Sequence, residues 1–262
     1  MNSYKTLLKQ LVVTDYKLRY QGSILGYLWS LLKPLMLFGV LFIVFSYVIP
    51  LGKGVPHFPV YLLLGIVVWT FFTEATSMGL NAIVGRGDLI RKVKISKPTI
   101  VLSAVISAGV NFTFNLAVVI VFMAINQVDV HWSMIWIVPL LIVELLALAM
   151  GLAFLLAALY VKFRDMGPIW EVLLQMLFYA TPIIYPLTLV TSGTLATIIS
   201  LSPLAQIIQD LRYILVTQSQ GTTHAILDVW YLQIVPFAIV ALVLATGVWY
   251  FRKRANYFVE DL

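Results

Sequence analysis

No cysteine occurs among the 262 residues, so the chain has no disulfide, thiolate metal ligand or cysteine nucleophile. Charged residues are also scarce, since they make up 11% of the sequence against about 25% in a typical soluble domain. The hydrophobic share is 61%, and the 15 glycines and 11 prolines follow no repeat, which excludes soluble, disordered and collagen-like chains. The composition therefore predicts a membrane-embedded protein.

Motifs for nucleotide binding and hydrolysis are missing as well. The sequence has no Walker-type phosphate loop, no H-E-x-x-H zinc motif, no G-x-S-x-G nucleophile motif and no dinucleotide fingerprint. His57, His131 and His224 are far apart in the sequence and lie on predicted outer segments. We therefore expect no catalytic residue, no metal site and no cofactor bound by this chain.

Apolar segments with few or no charges, long enough to cross the hydrocarbon core, predict an all-α polytopic fold with six membrane spans. Five of these spans are residues 35–51, 58–84, 99–128, 133–161 and 231–251. Residues 172–209 also lack charge, but this segment is too long for one helix and contains three prolines. It is either a fifth span at residues 172–189 followed by a re-entrant or interfacial segment at residues 195–208, or two complete spans.

The positions of the basic residues favour the first alternative. With six spans and a cytoplasmic N-terminus, fifteen of the seventeen Lys and Arg lie on cytoplasmic segments, as the positive-inside rule expects. A seventh span would move Arg252, Lys253 and Arg254 to the outside. We therefore predict six spans, a re-entrant outer segment within residues 190–230, and two cytoplasmic termini. The net charge of +6 reflects this topology, and we expect no nucleic-acid partner.

Two cytoplasmic segments are predicted outside the spans. Residues 1–30 are basic and amphipathic without a signal-peptide pattern, which indicates an interfacial helix on the cytoplasmic leaflet. Residues 85–98 form a basic loop in which Asp88 caps a short helix. This loop either anchors the chain beside anionic lipid or provides a docking helix for a cytoplasmic partner. No second domain is expected, so residues 1–262 form a single transmembrane domain.

Short segments distributed along the whole chain form a recognisable set. They are Asp15-Tyr-Lys-Leu-Arg19-Tyr20 with Ser23, Gly26, Trp29 and Pro34 after it, Asp88-Leu-Ile-Arg-Lys92, Phe163-Arg164-Asp165, Thr181-Pro182-Ile-Ile-Tyr185, and Ser202-Pro203-Leu204 with Arg212-Tyr213. Together they resemble the type-2 ABC exporter permeases that export O-antigen, capsule or teichoic acid polymers. One difference is Ile95-Ser96-Lys97-Pro98, where the family often has an aromatic residue followed by proline.

The resemblance implies a permease subunit, not an enzyme, in the bacterial cytoplasmic (inner) membrane. A homodimer of this chain would bind two copies of a separate nucleotide-binding ATPase subunit, which would carry the ATP and Mg²⁺. The substrate would be a polysaccharide linked to a polyprenyl pyrophosphate lipid and threaded through a channel at the dimer interface. The family's coupling helix, which contacts the ATPase, would consist of Asp88, Leu89, Ile90, Arg91 and Lys92.

Six further residues are candidates for contact with the substrate. Lys17 and Arg19 lie near the inner interface, where cations attract the pyrophosphate of a lipid carrier, although membrane topology alone also explains them. Glu74 and Glu144 lie within spans, where an ionised group costs about 2.5–3.5 kcal/mol, so they are candidates for channel or interhelical contacts. Tyr179 and Tyr185 flank the Thr181-Pro182 break and are candidates to stack on sugar rings.

Three alternative functions remain open at this point. A permease of the same class could export a drug or a small lipid. An integral-membrane enzyme acting on lipid-linked sugars would use the intramembrane carboxylates as catalytic groups and would be active without ATP. An ion-coupled carrier would require a coupling-ion site.

Overall fold

A computed structural model gives the fold of the chain. It describes residues 6, 8–14, 26, 28–49, 52, 54–92, 95–190, 192–220, 222 and 230–258. The regular structure in these ranges is helical, which confirms the predicted all-α class. The principal helices are α1 (Leu28–Ile43), α2 (Phe58–Asn81), α3 (Gly87–Lys92), α4 (Lys97–Ile125), α5 (Val138–Lys162), α6 (Met166–Ala180), α7 (Gly193–Ser200), α8 (Pro203–Leu215) and α9 (Trp230–Arg254).

Five helical segments of the described chain are long and apolar enough to cross a membrane. They are α1 with the following π-helical turn, α2, α4, α5 with the preceding 3-10 turn, and α9. The pair α7 and α8 counts as a sixth only if it forms one span, because the two helices meet at an angle of 93°. This bent pair lies where the sequence predicts the re-entrant segment, and Pro203 begins α8 in the first turn, where a proline is tolerated.

The fifth predicted span is not among the described segments that are long and apolar enough to cross a membrane. Its helix is α6, which begins six residues before the predicted start at residue 172 and ends at Ala180 instead of continuing to residue 189. The predicted start avoided Glu171, but this side chain is exposed on α6 and does not interrupt the helix. The helix ends because Thr181 precedes Pro182 and adopts an extended conformation, as a residue before proline prefers.

The first span also begins earlier than predicted. The sequence places Pro34 in the first helical turn, whereas α1 begins at Leu28 and contains Pro34 in its interior. A proline has no N–H to donate to the carbonyl four residues before it, which here is the carbonyl of Ser30. The side chain of Asn115 on α4 donates to this carbonyl instead, over 3.2 Å. The helix therefore continues through the proline with its main-chain acceptor satisfied.

The centre of the bundle is α2, which contacts α1, α4, α5, α6 and α8. Two close helix contacts depend on small residues. A Cβ atom built on Gly79 of α2 would lie 2.3 Å from the Cβ of Ala153 on α5. A Cβ atom built on Gly247 of α9 would lie 2.1 Å from the carbonyl oxygen of Gly151 on α5. The helices thus approach closely, as small residues permit in membrane bundles.

The end of the bundle that carries α3 is tied together by the segment that follows α9. Lys97, at the start of α4, donates a hydrogen bond to the carbonyl of Ala255. The ring of Phe258 is buried and packs edge-on against Phe251 at 5.2 Å between ring centroids. These contacts connect the start of α4 to the end of α9.

Candidate functional site

A groove runs between α1, α2 and α6. Its larger part has a volume of about 690 Å³ and lies between α1 and α2. Its smaller part, of about 320 Å³, extends to α6. Both parts are lined by Leu37 of α1 and Trp69 of α2, so the two parts adjoin at these residues.

Polar residues line the α2 wall of this groove. Thr70, Thr73, Glu74 and Ser77 follow helical spacing and therefore share one face of α2. The carboxylate of Glu74 accepts a hydrogen bond of 2.7 Å from the amide of Asn111, which lies on α4 behind the wall. Lys33 contributes a cation from the α1 side. The groove thus offers hydroxyl groups and both signs of charge.

Aromatic residues continue the groove toward α6. The ring of Trp69 meets Phe178 edge-on at 5.6 Å, and Phe178 meets Tyr179 at 5.3 Å. Tyr179 lines the smaller part of the groove and is 68% exposed. At the other end of α6, the indole N–H of Trp170 donates to the hydroxyl of Thr76 on α2 over 3.2 Å. These contacts fasten α6 to α2 near both ends of the helix.

The structure separates the four intramembrane candidates into two groups. Glu74 and Tyr179 line the groove, whereas Glu144 and Tyr185 do not. The hydroxyl of Tyr185 donates to the carbonyls of Tyr179 and Ala180 at 3.3 and 3.4 Å, so it binds the end of α6. Glu144 is 8% exposed and faces Gln206 and Asp210 across the interface between α5 and α8.

Glu144 belongs to a buried polar region centred on α8 that sequence analysis did not identify. Gln206 donates to the carboxylate of Asp210 over 2.8 Å, and the hydroxyl of Tyr61 lies 3.5 Å from Oε1 of Gln209. The polar residues of α8 recur three or four positions apart, which could have indicated a shared helix face. Arg212, which charge counting placed on an outer segment, is also buried in this region.

A short helix, α3, contains the five residues for which a coupling role was predicted. Asp88 lies in its first turn and Arg91 and Lys92 in its last turn, so their charges complement the helix dipole. Asp88 is thus the second helical residue and not the cap. Ile90 is buried, Leu89 is half-buried, and the three charged side chains are exposed. Just before α3, Arg86 donates to the carbonyl of Ile100 on α4 over 3.4 Å. The helix therefore has an anchored apolar side and an accessible charged side.

Two predicted candidates, Lys17 and Arg19, lie outside the described residues. Across the ranges that the structure describes, no three or more His, Asp and Glu side chains come together in a group suited to a metal ion.

Comparisons with known proteins identify the family to which the chain belongs. Residues 6–216 match the family described as ABC-2 type transporter. The chain is 32% identical over 213 residues to the O-antigen export system permease protein RfbA of Myxococcus xanthus, covering 80% of each chain. It is 27% identical over 248 residues to a protein of the same name from Klebsiella pneumoniae, covering 95% of this chain and 92% of the relative.

A more distant relative is the polysialic acid transport protein KpsM of Escherichia coli, which is 24% identical over 186 residues and covers 70% of this chain. Permeases of such export systems work with a partner ATPase. The match over residues 6–216 and the bundle of apolar spans lead to one assignment. The chain belongs to the ABC-2 type transporter family and is a multi-pass membrane transport subunit, not an enzyme.

Proposed function

We propose that the chain is the permease subunit of an ATP-driven exporter that moves a lipid-linked polysaccharide across the bacterial cytoplasmic membrane. The observation that carries this proposal is the groove, in which the exposed indole of Trp29 and the row of hydroxyls on α2 line the same part. Sugars present hydroxyl groups at their edges and apolar C–H groups on their faces, so this combination of side chains suits a glycan. The names of the relatives, which refer to O-antigen and polysialic acid, support the same substrate class.

We further propose that two copies of the chain close the groove into a passage. Lys33 is exposed on α1 and Glu74 is half-buried on α2, and charged groups within spans normally face a bundle interior or a water-filled cavity. On α6, Trp170 is the buried residue, while large apolar side chains such as Val172 and Met176 are exposed. A second copy against α1 and α6 would cover these side chains and shield the charged groups from lipid.

The energy for export would come from two ATPase subunits that bind on the cytoplasmic side and carry ATP and Mg²⁺. Helix α3 is suited to this contact, because Asp88, Arg91 and Lys92 are accessible while Ile90 is anchored in the bundle. Movement of α3 would reach the spans through rigid-body contacts. Both termini would then be cytoplasmic, and Lys17 and Arg19 would bind the pyrophosphate of the lipid carrier at the inner interface.

The test combines depletion of the protein with a charge substitution in the groove. Depletion should lower the surface polymer and cause the polyprenyl-linked glycan to accumulate on the cytoplasmic side of the membrane. Complementation with Glu74→Gln should restore the protein level but leave surface polymer several-fold below wild type, because the groove loses its carboxylate. Glu171→Gln is the matched control, because Glu171 is exposed on α6 and does not line the groove. Normal surface polymer after depletion, without accumulated lipid-linked glycan, would contradict the proposal.

A further inference from the structure

Arg212 on α8 is a large charged side chain that is only 1% exposed. Its three hydrogen bonds in the described structure all end on main-chain carbonyl oxygens. Nε donates to Tyr61 over 3.0 Å, Nη1 to Pro182 over 2.6 Å and Nη2 to Ile183 over 2.6 Å. The guanidinium carbon also lies 3.6 Å from the centroid of the Tyr61 ring. The cation therefore binds the backbone of two separate segments, at α2 and after α6.

The carbonyls of Pro182 and Ile183 need such a donor. They belong to residues 181–186, a non-helical segment that contains two prolines and is buried except for Tyr185. A buried carbonyl outside regular structure costs free energy unless a donor reaches it, and in a membrane that donor must come from the protein. The planar guanidinium supplies donors in a fixed fork, which allows Arg212 to bind two successive carbonyls at once.

The backbone of α2 leaves room for this arrangement at Gly65. A Cβ atom built on Gly65 would lie 2.3 Å from Nη2 of Arg212 and 3.2 Å from the carbonyl oxygen of Ile183. Since Nη2 is the end of a flexible side chain, an alanine at position 65 would displace the guanidinium before it moved the helix. Because Gly65 has no side chain, it leaves the space that the guanidinium of Arg212 occupies.

We propose that Arg212 is a positioning residue that fixes the bend at residues 181–185 and, through it, the Tyr179 end of the groove. The connection runs from the guanidinium to the carbonyls of Pro182 and Ile183, and from there along the bend to Tyr185. The Tyr185 hydroxyl in turn binds the carbonyl of Tyr179. We call the three hydrogen bonds from Arg212 to the carbonyls of Tyr61, Pro182 and Ile183 the clamp. The inference rests on the proposed function only where it assigns the groove to the substrate, because the clamp itself does not depend on what is transported.

The absence of cysteine allows a direct test by single-cysteine labelling with N-ethylmaleimide. Leu187 follows the bend and is 2% exposed, so Leu187→Cys should react slowly, whereas Thr188→Cys, at an exposed position, should react quickly. Adding Arg212→Lys should raise the labelling rate of Leu187→Cys several-fold and leave Thr188→Cys unchanged. A lysine has one ammonium group and cannot bind all three carbonyls as the guanidinium does.

Gly65→Ala provides a second variant that retains the arginine. It should raise the labelling rate of Leu187→Cys as Arg212→Lys does, whereas Gly109→Ala on α4 should not, because a Cβ atom there meets nothing within 4 Å. A buried probe at Ser107→Cys, also on α4, reports the stability of the whole bundle. If both variants leave Leu187→Cys protected, or if Ser107→Cys becomes reactive together with it, the clamp is overturned.

Export measured in the same strains separates this inference from the proposed function. Surface polymer should fall several-fold in Gly65→Ala and stay normal in Gly109→Ala. If the bend opens but the amount of polymer is unchanged, Arg212 does not position the groove for transport. The proposed function would then still be judged by depletion and by Glu74→Gln, which do not involve the clamp.

Discussion

Asn115 on α4 takes over the hydrogen bond that Pro34 removes from α1. We therefore predict that substitutions of the two residues have coupled effects on the free energy of unfolding, because both act on the carbonyl of Ser30. Asn115→Ala should lower the free energy of unfolding by about 1 kcal/mol, as expected for an interhelical hydrogen bond in a membrane protein. The measurement is reversible unfolding in lipid–detergent mixtures.

The control for this prediction is the Pro34→Ala background, in which residue 34 has an N–H of its own. There the Ser30 carbonyl is satisfied within α1, so Asn115→Ala should cost clearly less free energy than it does in the wild type. An equal cost in both backgrounds would show that Asn115 stabilises the bundle through its other bond, to the carbonyl of Asn111.

Individual residues also show which parts of the candidate site the sequence could predict. Glu74 and Glu144 look alike in sequence, because each is an isolated carboxylate in an apolar span. The structure gives Glu74 a place in the groove and Glu144 a place between α5 and α8. This difference arises from residues distant in sequence, because Asn111 donates to Glu74 and α8 packs beside Glu144 only in the folded chain. Polarity alone therefore identifies candidates but not their surroundings.

At the scale of helices, the contact between α5 and α9 depends on the absence of side chains at Gly151 and Gly247. Gly247→Ala would bring a Cβ atom against a main-chain oxygen that cannot move independently of its helix. The two helices would have to separate, and we expect a loss of about 1–3 kcal/mol, the usual cost of overpacking. Thermal unfolding in detergent would measure it.

Gly39→Ala on α1 is the matched control for this prediction, because a Cβ atom there meets nothing within 4 Å. It should leave the unfolding temperature unchanged or raise it slightly, since alanine favours the helix. An equal decrease in both variants would mean that glycine matters here for reasons other than close packing.

The limits of α2, α4 and α9 were predictable because they lie close to the ends of apolar runs. The predicted limits were wrong where a single residue was taken as the boundary of a helix. Glu171 does not interrupt α6 because its side chain is exposed, and Pro34 does not begin α1 because Asn115 satisfies the acceptor it leaves. Both outcomes depend on tertiary structure. The Arg212 clamp could not be predicted for the same reason, since its acceptors at Tyr61, Pro182 and Ile183 lie in other segments of the chain.

In the whole molecule, the α3 end of the bundle and helix α6 are held by different kinds of contact. The end with α3 is tied by Arg86 to α4, and by Lys97 and Phe258 to the end of α9. Helix α6, by contrast, has one buried residue and contacts α2 mainly through Trp170 and Phe178. A force applied to α3 would therefore reach the start of α4 and the end of α9.

The length of α6 sets a requirement for the lipid around the molecule. Its 15 residues rise roughly 22 Å, less than the hydrocarbon core of a typical bilayer. A span made of α6 and the following bend would be short for a thick bilayer and would give this side of the protein a hydrophobic mismatch. Export by the assembled transporter should therefore fall as the acyl chains of phosphatidylcholine vesicles lengthen.

The corresponding control is the ATPase activity of the partner subunit measured without the permease, which should not respond to acyl length. Export that is constant across the series would mean that α6 is shielded from lipid. A loss of export in thick bilayers would make membrane thickness a second variable, besides ATP, that sets the rate of transport. Helix α6, by being short, would make the activity of the exporter depend on the composition of the membrane that contains it.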